Sequence, residues 1–208
     1  MPRGERSHVN SIVIKVGGNE LNDERFMRRF VEALVRLHEP RPVLVHGGGK
    51  QIAALQRQMG LEPVLLEGVR VTDSESLRIA EMVLSGSVNK RLVARLVVAG
   101  AKAIGLSGVD LGLIRVKKMQ HPRGDLGLVG AVEQVNVAAL LLLLGERMLR
   151  DISPISLGYD GRTYNVNADH AALGVAKGLD AQALLLVTNV AGVMAGGKVV
   201  ERLDAGTV

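Results

Sequence analysis

Ser11-Ile-Val-Ile-Lys-Val-Gly-Gly18 is a short run rich in β-branched residues that closes on a glycine pair. A run of this length, almost wholly apolar and bounded by glycine, reads as a strand buried on both faces. After it, Phe26, Phe30, Ala33, Leu34 and Leu37 recur at helical spacing and predict a helix over Glu24 to Leu37. The pattern then repeats: Pro42-Val-Leu-Val-His46 is a second strand, Gly47-Gly48-Gly49 a second glycine turn, and Lys50 to about Met59 a second helix.

Working outward, Ser74 to Val98 is a long helical pattern whose start Asp73 or Thr72 can cap. Its apolar face is broader than one core contact needs, which fits either a buried helix of the monomer or a face packed on a partner subunit. Ala103 to Ser107 reads as a strand, and Leu113 to Lys118 with Leu128 to Gln134 as an antiparallel hairpin around a turn at His121 to Gly127. Val137 to Leu144 is predicted as a buried helix, Met148 to Ile155 as a strand, His170 to Lys177 as a helix and Gln182 to Thr188 as a strand. Strands alternating with helices give an α/β fold, a three-layer α-β-α sandwich with a mainly parallel central sheet, whose ligands gather at the C-terminal strand ends.

Composition narrows the function. The 208 residues are 47% hydrophobic but only 2% aromatic, which excludes a binder that stacks bases on aromatic platforms. The absence of cysteine excludes disulfide scaffolds, thiolate zinc sites and thiol nucleophiles, and fits a reducing cytoplasm. The net charge of +5 comes from basic residues scattered among acidic ones, so no nucleic-acid partner is expected. No apolar h-region follows the first residues, and the longest apolar run, Val137 to Leu144, is far short of the ~20 residues that span a bilayer. No membrane association is expected either. Glycine is in excess, at 25 residues, and clusters just after the β-branched runs.

Backbone N–H groups without side-chain cover, at the start of a helix, suit phosphate or developing negative charge. Neither glycine cluster has the spacing of a P-loop or of a dinucleotide fingerprint. Lys15 lies inside an apolar strand just before the first cluster and is either a lysine that meets an anion or one that snorkels to solvent. In Tyr164-Asn-Val-Asn-Ala-Asp169, an extended chain places Asn165, Asn167 and Asp169 on one side; alternatively Asp169 is the N-cap of the next helix. Arg70, in a short apolar stretch, is either a carboxylate-binding arginine or a surface strand residue. His46 has no Ser, Cys or acid partner at suggestive spacing and is read as structural. No metal-binding set of histidines or carboxylates is present, so any metal arrives with a nucleotide.

Taken in order, Ile14-Lys-Val-Gly-Gly18, Val45-His-Gly-Gly-Gly49, Gly68-Val-Arg-Val-Thr-Asp73, Val88-Asn-Lys90, Gly105-Leu-Ser-Gly-Val-Asp110, Gly127-Leu-Val-Gly130, Asn165-Val-Asn-Ala-Asp169 and Leu186-Val-Thr-Asn-Val-Ala-Gly192 resemble the amino acid kinase family, most closely its members that act on N-acetyl-L-glutamate. The resemblance covers residues 11 to 204. It implies transfer of the γ-phosphoryl group of ATP, with its Mg2+, to the side-chain carboxylate of N-acetyl-L-glutamate, an early step of arginine biosynthesis. It further implies that Lys15 stabilises the moving phosphoryl group, that Asp169 orients lysines around it, and that Gly17, Gly18 and Asn189 meet the nucleotide. Gly48, Gly49, Arg70, Asn165 and Asn167 would bind the acyl-amino acid, Arg70 at its α-carboxylate.

The chain also departs from the family pattern. The family's second catalytic lysine, in the C-terminal nucleotide lobe, has no match here, and Asn189 stands where those members commonly carry aspartate. The expected division is an acyl-amino-acid-binding and dimerisation lobe over 1–168 and the opening of a nucleotide-binding lobe over 169–208, left incomplete. The short N-terminal segment, lacking the extra helix of arginine-sensitive members, fits an uninhibited homodimer formed through the Ser74 to Val98 helix. Two other functions fit the resemblance: a kinase for aminoadipate held by an acidic carrier protein in lysine biosynthesis, and a non-catalytic fragment that binds an acyl-amino acid.

Overall fold

The computed structural model describes residues 10–18, 20–146, 148–188, 190, 192, 194–195 and 198–200. Strand β1 (Ser11–Val16) leads through the glycine pair to helix α1 (Glu24–Arg36), capped by Asp23, whose carboxylate accepts from the Arg25 and Phe26 N–H groups. Strand β2 (Arg41–His46) leads through the glycine triplet to α2 (Gly49–Gln58). A small hairpin, β3 (Leu65–Leu66) and β4 (Val69–Arg70), precedes α3 (Ser74–Glu81), which Asp73 caps by accepting from the Ser76 N–H at 2.7 Å. The long helical pattern is continuous but not uniform: a π-helical segment (Met82–Val88) separates α3 from α4 (Asn89–Val98).

Next come β5 (Ala103–Gly108), the antiparallel pair β6 (Ile114–Lys118) and β7 (Gly130–Val135), α5 (Val137–Gly145) and β8 (Leu149–Gly158). Strand β9 (Thr163–Asn165), α6 (Ala168–Leu179) and β10 (Ala183–Val187) follow, then a short pair, β11 (Met194–Ala195) and β12 (Lys198–Val199). The main sheet runs β10-β1-β2-β8-β6-β7, with β5 and β9 also paired to β8, and is parallel except at β7 and β9. Strand β8 is the hinge of this arrangement. Its first half lies between β2 and β5, and its second half between β6 and β9.

Side-chain parity sorts the core into two layers. Ile14, Val16 and Leu44 face α1, α2, α3 and α4, packing on Met27, Leu84, Leu92 and Leu96. Val13, Val43, Val45 and Ile152 face α5 and α6, packing on Leu140, Ala172 and Val175. Gly105 makes the first layer possible, because a Cβ there would stand 2.1 Å from Asn89 Oδ1. Among the described residues, no helix is long and apolar enough to cross a membrane.

The apolar stretch Val137 to Leu144, predicted as a buried helix, is helical and is buried on one side only. Leu140 and Leu144 are inaccessible, whereas Leu142 is 71% exposed, because a helix against one sheet face covers only the residues on that stripe. Leu140→Ala is accordingly expected to cost roughly 2–5 kcal/mol in urea unfolding, through lost burial and the cavity left behind. Leu142→Ala should change stability by no more than ~0.5 kcal/mol.

Candidate active site

The C-terminal ends of β1 and β2 and the N-termini of α2 and α6 converge on a cavity of about 320 Å3. Lys15 reaches it from β1, where its backbone is flanked by Val45 of β2 and Leu186 of β10. Its side chain is only 13% exposed and its Nζ lies 3.1 Å from Asp169 Oδ1. Of the two readings of Lys15, the one that meets an anion describes its position. Snorkelling to open solvent does not.

Asp169 is not the helix cap. The chain leaves the extended conformation at Asn167, whose side-chain oxygen caps α6 by accepting from the Asp169 N–H at 2.8 Å and the His170 N–H at 3.4 Å. Asp169 therefore sits in the first turn, where a carboxylate is favoured by the helix dipole, and its side chain is left to pair with Lys15. Asn165, the last residue of β9, lines the same cavity and donates to Thr72 Oγ1 at 3.3 Å. The three polar residues converge as expected, by a strand end, a cap and a helical turn in place of three extended residues.

The glycines are positions of close approach. At Gly17 a Cβ would meet Glu20 Oε2 at 2.2 Å, at Gly18 it would meet Gln51 Oε1 at 2.8 Å and Gly48 Cα at 3.1 Å, and at Gly48 it would meet Leu84 Cδ2 at 2.6 Å. Packing the two glycine turns on each other brings the C-terminal end of β1 against that of β2. The Gly17 N–H is donated to Val187 O at 3.3 Å, and Gln51 Nε2 donates to Gly18 O at 2.9 Å. Gly49, the first residue of α2, is open on its cavity side apart from Arg70 Nη2 at 3.9 Å from a would-be Cβ.

Arg70 enters from β4 and is half-buried. It donates from Nη1 to Gln56 Oε1 at 2.7 Å and from Nη2 to Gly49 O at 3.0 Å, and among the described residues it forms no ion pair with a carboxylate. Burial, and to a smaller extent Arg57, lowers its pKa from the ordinary arginine value, and a guanidinium of this kind stays charged at neutral pH. The cavity is thus lined by two cations, Lys15 and Arg70, and by two helix N-termini. Such a site suits a ligand with two anionic groups.

Asn189 lies outside the described residues. Among those described, no group of three or more His, Asp or Glu side chains is arranged to hold a metal ion. Asp169 is the carboxylate among the residues lining the cavity, a donor set that fits a divalent ion held mainly by phosphate oxygens.

A polar layer beneath the glycine turns was not legible in the sequence. His46 is inaccessible, and its Nε2 lies 3.8 Å from Oδ2 of the equally inaccessible Asp151 on β8. The partner is remote in sequence, so no local spacing could announce it. The available signal was the charged pair Arg150-Asp151 inside an otherwise uncharged strand.

A model of the amino acid kinase family matches residues 10–207. The chain is 52% identical over 197 residues to a protein of Roseiflexus castenholzii named acetylglutamate kinase, an alignment covering 95% of this chain and 75% of that protein. It is 47% identical to the Chloroflexus aurantiacus protein of the same name, covering 94% of this chain and 77% of the relative. The crystal structure of smu.665 from Streptococcus mutans superposes with a TM-score of 0.79 at 28% identity, covering 93% of this chain and 78% of that one. With its sheet order, its glycine turns and these matches in agreement, the chain belongs to the amino acid kinase family.

Proposed function

We propose that the protein transfers the γ-phosphoryl group of ATP to the side-chain carboxylate of N-acetyl-L-glutamate. The observation that carries this reading is that one cavity is lined by both the Lys15–Asp169 pair and Arg70. A carboxylate oxygen attacks the γ-phosphorus, the bond to the ADP oxygen breaks, and an acyl phosphate and ADP result. The acceptor is already ionised at neutral pH, so no general base is required. Phosphoryl transfer then depends on positioning and charge neutralisation, which a cavity lined by cations and N–H groups supplies.

In this reading Lys15 neutralises charge on the moving phosphoryl group and Asp169 holds the lysine in place. Gly48 and Gly49 offer N–H groups near the reacting carboxylate, Arg70 pairs with the α-carboxylate, and Asn165 and Asn167 contact the remainder of the acyl-amino acid. The Asn167 oxygen is committed to capping, so its amide N–H groups make that contact. Gly17 and Gly18 border the phosphates, Gly17 by leaving room, since its own N–H is donated to Val187. Asn189 would meet the nucleotide. Mg2+, bound through the phosphates, supplies further charge neutralisation there. Arg70 and the paired asparagines favour a free acyl-amino acid over a carrier-bound aminoadipate, and the assembled Lys15–Asp169 pair favours catalysis over binding alone.

The reading also includes a homodimer formed through the α3–α4 helical run. Met82 is 52% exposed, Val97 52% and Val98 89%, apolar side chains of that run that a second subunit would cover.

Purified protein given ATP, Mg2+ and N-acetyl-L-glutamate in hydroxylamine is expected to form the acyl hydroxamate; none forming would sink the reading. Lys15→Ala should lower kcat by about 10²-fold or more with little change in the acetylglutamate KM, as for loss of a transition-state contact. Arg70→Ala should instead raise that KM by about 10- to 100-fold, the worth of a charge-assisted pair. Sedimentation should give a dimer, and Val98→Glu should shift it toward monomer; a wild-type monomer at micromolar concentration removes the assembly.

A further inference from the structure

The buried His46 beneath the glycine triplet has a hydrogen-bonding pattern that fixes its tautomer. Its Nδ1 lies 3.0 Å from the Gly47 carbonyl, which can only accept, so the proton is on Nδ1. A neutral ring then presents a bare Nε2, and this atom is buried without a hydrogen-bond partner. It faces Asp151 Oδ2 at 3.8 Å, and Asp151 Oδ1 is likewise buried and unpartnered. The unpartnered Nε2 thus lies about 1 Å beyond hydrogen-bond distance of a carboxyl group whose other oxygen, Oδ1, also lacks a partner, within reach of a small side-chain rotation.

The surroundings set the other roles. Lys90 Nζ donates to Asn89 Oδ1 at 2.8 Å and to Gly105 O at 3.0 Å, which orients the Asn89 amide. Asn89 Nδ2 then donates to Asp151 Oδ2 and to the Asp151 carbonyl, both at 2.9 Å. Burial opposes charge on both titratable members, lowering the His46 pKa to about 4 and raising that of Asp151 well above the usual carboxylate range. Lys90, on α4, is the charged group that acts on both.

We propose that Asp151 and His46 are positioning residues for the glycine turn. Asp151, as the neutral acid, donates its O–H to His46 Nε2; the His46 Nδ1–H donates to the Gly47 carbonyl and so fixes the peptide plane that carries the Gly48 N–H. The dyad touches no substrate atom. Its value to catalysis rests on the phosphoryl-transfer reading above, because that reading is what gives the glycine N–H groups a ligand.

The test is nitrogen-15 NMR of the histidine rings in the full chain between pH 5.5 and 8, with Asp151→Asn and Asp151→Val as variants. His46 is expected as the neutral Nδ1–H tautomer throughout, where an unperturbed histidine would titrate near ~6.5. D151N, which still offers an N–H to Nε2, should keep that tautomer and hold kcat within about threefold, whereas D151V should lower kcat by about tenfold or more through a displaced turn, with the ATP KM unchanged. A His46 that titrates near its ordinary value, a proton on Nε2, or a D151N loss equal to that of D151V overturns the proposal. Should D151V fail to fold, the wild-type and D151N spectra decide. If no acetylglutamate is phosphorylated, the spectra still report on the dyad, so failure of the one does not pass for failure of the other.

Discussion

A lysine on a strand flanked on both sides by other strands must find an anion or lose its charge, and Lys15 finds Asp169. The pairing constrains much of what lies between the two residues. Lys15 shares its sheet face with Val13, the face covered by α6, so the carboxylate has to arrive on the first turn of that helix. For α6 to start there, β9 must end at Asn165 beside β8 and the cap must fall at Asn167. The long strand β8 is the template, because it pairs with β2 along its first half and with β9 along its second.

The features most legible in the sequence are those with a local cause. β-branched runs ended by glycine gave β1 and β2 within a residue of their ends, because a continuous apolar run cannot be half-exposed without cost. Asp73 and its helix were similarly readable, since a cap acts within three residues. What could not be read depends on contacts remote in sequence. Local sequence does not place the cap of α6, because both Asn167 and Asp169 are good cap residues and only the ion pair with Lys15 decides between them. The π-helical segment was invisible for a related reason. Its apolar spacing counts as helix under either winding, and its placement involves a hydrogen bond between the hydroxyls of Ser85 and Ser153, the latter on a distant strand, at 2.7 Å.

The same distinction governs the candidate site. Lys15, Arg70 and the asparagines stood out because a polar residue in an apolar setting is conspicuous. The glycines stood out by density alone, yet their reason is three-dimensional: Gly18 packs on Gly48, and Gly48 on Leu84 of the π-helical segment. Leu84 belongs to the core layer that includes Leu92 and Leu96. The cavity floor is therefore continuous with the helical run whose outer side carries Val97 and Val98.

His46 and Asp151 lie in that first core layer, on the sheet face opposite to Lys15. Both sheet faces thus carry a titratable pair next to the glycine turns, under opposite constraints. On the cavity side the pair is partly solvated, and two full charges attract each other while remaining available to a phosphate. On the core side both members are inaccessible, and two full charges would carry a desolvation penalty of several kcal/mol each that one contact does not offset. A neutral acid next to a neutral imidazole avoids that penalty, because a single O–H···N hydrogen bond can join them without either bearing a charge. The core-side pair is thus suited to holding backbone in place and the cavity-side pair to meeting a charged ligand, and the glycine turn lies between them.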